Sequence, residues 1–114
     1  EKAEKWIDLI DFLKTYDHSF TSGYRFHPND IELKIRVDLN LREKLDTLKR
    51  YFASDPKSYN EKINLLLKIL EKEGFIELEN PISNQYKVVA AFGYIEQFII
   101  SINIPEDTQN EISE

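Results

Sequence analysis

The sequence predicts an α+β fold, a three-helix core with a small antiparallel sheet and an extra C-terminal helix, and three observations carry that prediction. Ser58 and Glu61 form a capping box, after which Ile63, Leu66, Leu67 and Leu70 recur at helical spacing until Gly74 supplies a left-handed stop. Phe75 to Glu79 and Tyr86 to Val89 then alternate as two strands around the break Asn80 to Gln85. Finally, Ile31, Leu33, Ile35, Val37 and Leu39 alternate with Glu32, Lys34, Arg36 and Asp38, the pattern of a strand with one buried and one wet face.

Taken in order, residues 3 to 16 place Trp6, Leu9, Ile10, Leu13 and Tyr16 on one face, widened by Ile7 and Phe12, and so predict a first helix. Asp17 to Asp30 is irregular, with turns at Ser22-Gly23 and at His27-Pro28-Asn29-Asp30, and residues 20 to 26 are a candidate additional strand. After the strand at 31 to 39, Asn40 caps a second helix, with Glu43 as its capping-box partner and Leu41, Leu45, Leu48 and Phe52 as its core face. The third helix is the one capped by Ser58. Beyond the strand pair, Phe92, Ile95, Phe98, Ile99 and Ile102 predict a helix over 91 to 104, which Pro105 ends. The organisation expected is therefore one domain over 1–104 and a polar, acidic, disordered tail over 105–114.

A capped helix, a glycine, then two strands joined by a turn resembles the winged helix-turn-helix superfamily. The residues that carry the resemblance are Asn64 to Lys72 and the run Leu70-Glu71-Lys72-Glu73-Gly74-Phe75-Ile76, similar to the end of many recognition helices. Tyr86 to Ile102 is loosely similar to the winged-helix subunits associated with condensin. The resemblance implies that the helix at 58–73 faces a DNA major groove and presents Ser58, Tyr59, Lys62, Asn64 and Lys68. Lys62 and Lys68 would meet phosphate, and Asn64 would read adenine.

Composition limits what else is possible. The chain has 114 residues, 41% hydrophobic and 32% charged, enough for one domain with one core. It has no cysteine, which excludes disulfides, thiolate zinc sites and cysteine nucleophiles, and no apolar run long enough for a membrane span. A chain that starts Glu1-Lys2 and lacks methionine reads as a piece of a longer intracellular protein. The net charge of −6 opposes a strong grip on phosphates. However, Glu106, Asp107, Glu111 and Glu114 put four of the acidic charges in the tail, and Asn40 to Lys72 holds eight basic residues against five acidic ones.

Two features point away from DNA. Leu65 and Ile69 share the outward face of the third helix, and the turn between the strands carries acids but no Lys or Arg at its tip. Leu65, Ile69, Ile82, Ile100 and Ile104 are thus the candidate interaction surface, for other domains of the parent protein, a protein partner or a second copy in a homodimer. Glu32-Leu33-Lys34 has the E-x-K form of a nuclease strand but lacks a clear second carboxylate. His18 and His27 have no ligand pattern around them. Phe20, Tyr24 and Phe26 around Arg25 either stack on unpaired bases or pack beneath the next strand. The reading that results is a non-catalytic module, without cofactor or metal, that binds DNA through 58–73; its alternative is a protein-interaction or dimerisation module.

Overall fold

The computed structural model describes residues 2–112, with side chains from 3 to 102. Among the described residues it contains five α-helices and one three-stranded antiparallel sheet, an α+β arrangement compatible with a winged helix. Helix α1 (Lys2–Tyr16) buries Trp6, Leu9, Phe12, Leu13 and Tyr16, the face expected from their spacing. After it the chain turns through Asp17 to Tyr24. Phe20 and Phe26 are buried and Tyr24 is half-buried there, the Phe20 ring lying 5.3 Å from Phe26 and 5.6 Å from Phe92. The aromatic loop is therefore core. Only Arg25–Phe26 (β1) of the candidate strand at 20 to 26 is extended.

The expected strand at 31 to 39 is a helix. Helix α2 (Pro28–Val37) begins with proline in its first turn, where the missing N–H has no intrahelical partner to lose. Ile31 and Ile35 are fully buried, whereas Leu33, Val37 and Leu39 are exposed by 55, 85 and 61%. A step of four residues returns to the same side in a strand and nearly so in a helix, so Ile31 and Ile35 satisfied both periods. The two periods differ at Leu33 and Val37, and those face water; Leu39 lies beyond the end of α2 and is exposed at the start of the next helix. Glu32 and Arg36, one helical turn apart, pair at 2.7 Å. The sheet gains nothing from this segment and stays small.

The turn into the next helix also differs from expectation. Asp38, in extended conformation, both ends α2 and caps α3 (Leu39–Thr47), its carboxylate accepting from the Leu41 amide at 3.0 Å. Asn40 lies inside the helix instead. The Arg42 guanidinium donates back to the carbonyls of Ile35 and Arg36 (3.1 and 3.2 Å), satisfying acceptors that the end of α2 leaves open. A 3-10 turn, Leu48–Tyr51, continues α3. Leu41, Leu45 and Leu48 are fully buried and Phe52 is half-buried, as the core-face reading requires.

Helix α4 (Tyr59–Lys72) starts and stops where its sequence signals lie. The Ser58 hydroxyl accepts from the Glu61 amide at 3.1 Å. The Glu61 carboxylate reaches one residue further than expected, to the amide of Lys57 at 2.6 Å. At the other end Gly74 has φ +78°, and the amides of Gly74 and Phe75 close on the carbonyls of Glu71 and Leu70. These two bonds are a Schellman stop, which needs a residue free to take positive φ. The stop turns the chain into β2 (Ile76–Asn80), which pairs with β3 (Gln85–Val88).

β3 is the central strand, with β1 on its other side: Arg25 faces Lys87 and Phe26 faces Tyr86. In the β2–β3 turn the Asn80 side chain accepts from the amides of Ile82 and Ser83, and Asn84 takes φ +59°. Helix α5 is Ala90–Ile112. It runs through Pro105, where a stop is expected; proline removes one backbone donor, and a helix can carry that loss with a bend. The acidic side chains expected beyond Pro105 lie outside the described residues.

Candidate interaction surfaces

Three solvent-open surfaces emerge from this frame, on α4, on α5, and where α2, the 3-10 turn and α4 meet. The outward face of α4 holds the residues expected to touch DNA, and most of them are engaged within the chain. Lys62 bridges to Asp46 of α3 at 2.9 Å, its ammonium lies 5.1 Å from the Tyr59 ring centre, and its side chain is only 13% exposed. Asn64 donates to Asn60 at 3.2 Å, and Ser58 is occupied as the cap. Lys68 is the exception, exposed and without an ion-pair partner among the described residues.

The expected apolar surface is not gathered in one place. Leu65 and Ile69 are half-buried and line a groove of about 250 Å³ with Lys5, Tyr51 and Lys68. Ile82 is 97% exposed on the β2–β3 turn, and Ile100 is 38% exposed on α5, so they belong to other elements. Ile104 lies outside the described residues. Of the acids on β2, Glu79 is balanced locally: it takes a two-pronged contact from Arg25 (2.7 and 3.1 Å) and a third bond from Gln85 (2.8 Å). The Arg25 hydrogen bonds, then that of Gln85, hold the Glu79 carboxyl below its ordinary range.

Helix α5 is divided lengthwise. Phe92 and Ile99 are buried in the core, and Glu96 ties the helix down through Lys14 (2.6 Å) and Thr21 (2.8 Å). Tyr94, Phe98 and Ile102, one turn apart, are exposed by 77, 51 and 40%. Phe98 and Ile102, whose spacing helps to predict this helix, thus stand outside the core. The signal was present in the sequence as an excess, because apolar residues at 92, 94, 95, 98, 99, 100 and 102 cover more than the one face a single core can take. Between α1 and α5, Trp6, Phe75, Ala91, Ile95 and Phe98 line an open groove of about 390 Å³.

No catalytic arrangement is visible among the described residues. Glu32 and Lys34 sit on α2, and side chains two apart on a helix diverge, so E-x-K cannot converge there on one metal ion. Glu32 instead pairs with Arg36, and Lys34 donates to the Tyr16 carbonyl at 2.6 Å. No group of three or more His, Cys, Asp or Glu able to hold a metal occurs among the described residues. The shifted carboxyls serve structure. Burial opposes ionisation of Asp8, but hydrogen bonds from Tyr51 and Arg50 hold its carboxyl below the ordinary value and tie α1 to the 3-10 turn. No described helix is long and apolar enough to cross a membrane.

The architecture thus defines a small α+β domain with open interaction surfaces. A family model described as condensin complex protein MksE matches residues 1–99, and the chain belongs to that family. Membership of a condensin complex implies partner proteins. Neither a curated protein nor a solved structure matches the chain.

Proposed function

We propose that this chain is a non-catalytic docking module of an intracellular, chromosome-organising condensin complex, held to a partner protein of that complex through the exposed stripe of α5. The observation that carries the reading is Tyr94, Phe98 and Ile102 standing in water, in line, beside an apolar groove. Aligned apolar and aromatic side chains beside a groove are what a partner helix needs for anchors at successive turns. Tyrosine and phenylalanine are also the residue types that dominate binding energy at such interfaces.

The experiment is co-purification with the partner proteins of the complex, using Phe98→Asp and Tyr94→Asp beside the unaltered chain. Both variants are expected to keep the circular dichroism of the parent and to leave the complex. Folded variants that still co-purify overturn the reading. Light scattering of the chain alone separates the homodimer case, since a doubled mass abolished by Phe98→Asp assigns the stripe to a second copy.

Direct DNA contact through the outward face of α4, using Ser58, Tyr59, Lys62, Asn64 and Lys68, is the second reading, favoured by Lys68, exposed and without an ion-pair partner among the described residues. Paired Lys62 and half-buried Leu65 and Ile69 on that face weigh against it.

A further inference from the structure

We propose that the pocket where α2, the 3-10 turn and α4 meet is a docking point for a backbone phosphate of duplex nucleic acid. The pocket encloses about 380 Å³ and is lined by Arg36, Lys49, Pro56, Lys57, Ser58, Tyr59 and Lys62. Four cations thus converge from α2, the 3-10 turn, the segment leading into α4 and α4 itself, and no carboxylate is in the lining, in a chain whose formal net charge is −6. The whole-chain charge does not describe this spot. Local fields in clefts lined by one sign of charge govern what approaches them.

The four cations are not equally available. Lys62 is largely sequestered by Asp46, its side chain only 13% exposed. Lys49 has no ion-pair partner among the described residues. Arg36 and Lys57 pair with Glu32 (2.7 Å) and Asp55 (3.4 Å), but their side chains are 58 and 77% exposed. The Lys57 pair, exposed on both sides, is weak and readily exchanged for a stronger acceptor, whereas Arg36 is held by the 16%-exposed Glu32 but through Nη2 alone. A phosphodiester is such an acceptor, and the planar guanidinium of Arg36 suits two of its oxygens. The Ser58 hydroxyl accepts from Glu61 and retains its own proton to donate.

The same geometry disfavours a free nucleotide. Tyr59 is the only aromatic ring in the lining, and the Lys62 ammonium already lies 5.1 Å from its centre, so no bare ring is offered to a base. The site thus takes phosphate carried on a strand, without reading sequence. This goes beyond the docking reading: it uses none of the residues of α5, and although it shares Ser58, Tyr59 and Lys62 with the second reading, it centres the DNA on Arg36, Lys49 and Lys57 instead of on Asn64 and Lys68.

Three forms of the chain test it by fluorescence anisotropy with a labelled duplex. They are the unaltered chain, the pocket variant Arg36→Ala/Lys49→Ala/Lys57→Ala, and the outward-face variant Asn64→Ala/Lys68→Ala. Counterion release makes affinity fall about 3.5-fold per neutralised phosphate when salt rises from about 50 to about 200 mM. The unaltered chain is expected to bind at the lower salt and weaken on this scale. The pocket variant should bind more weakly with a flatter salt response, and the outward-face variant should behave as the parent. Inorganic phosphate at matched ionic strength should not displace the duplex. The proposal is overturned by absence of binding at the lower salt, by parental affinity in the pocket variant, or by an equal loss in the outward-face variant. Displacement by inorganic phosphate would also overturn it, reassigning the pocket to the free ion. Unchanged circular dichroism and urea midpoint in each variant exclude misfolding as the cause.

Discussion

Replacing Ile35 and Val37 one at a time by alanine separates a helix from a strand at α2 with a single measurement. Ile35 is fully buried and Val37 is 85% exposed, although an alternating strand would bury both on one face. Removing the buried atoms of an isoleucine costs about 2–5 kcal/mol, the lost transfer energy plus the cavity left behind. Val37→Ala removes almost no buried area and exchanges a β-branched residue for the best helix former, a gain of at most about 0.7 kcal/mol. In urea, with a slope of about 1.5 kcal/mol/M for a domain this small, Ile35→Ala at a cost of about 3 kcal/mol lowers the midpoint by about 2 M. Val37→Ala leaves the midpoint unchanged or raises it by less than about 0.5 M. Equilibrium unfolding followed by far-ultraviolet circular dichroism supplies both midpoints. If Val37→Ala lowers the midpoint as far as Ile35→Ala does, the helical placement of this segment is wrong and the buried alternating face is right.

Two further outcomes follow from the ends and the turns. Ser58→Ala removes the acceptor for the Glu61 amide and should cost about 1 kcal/mol, read from the same urea titration, with glycine at that position losing only a few tenths. Asp17 has its carboxyl held below the ordinary 3.8 by the Ser19 amide first and the Tyr24 hydroxyl second (2.9 and 2.7 Å). Because the folded value is the lower one, its contribution is present in full above the unfolded value and is lost as pH falls through the folded value. The midpoint difference between about pH 7 and about pH 3 should therefore be smaller for Asp17→Asn than for the parent, and an equal difference refutes the assignment.

What the sequence determined by itself was whatever depends on near neighbours in the chain. Ser58 capping α4, Gly74 stopping it, and the Asn80 to Gln85 turn between β2 and β3 are set by interactions spanning a few residues, and all three stand where the residue types place them. The core faces of α1 and α4 were equally legible, because each has one dominant stripe at one period. Tertiary structure decided where two local patterns were equally good. Ile31 and Ile35 fit both a strand and a helix, and the choice rests on Leu33 and Val37, whose exposure depends on what else is near. On α5 the sequence offered more apolar residues than one face could bury, and only packing against α1 and the loop around Phe20 left Phe98 outside. Lys62 looked free in sequence and is tied to Asp46, 16 positions earlier. The cationic pocket lay beyond sequence reasoning for the same reason: Arg36, Lys49 and Lys57 sit in separate parts of the chain, and charges far apart along it become a site only when the fold brings them together.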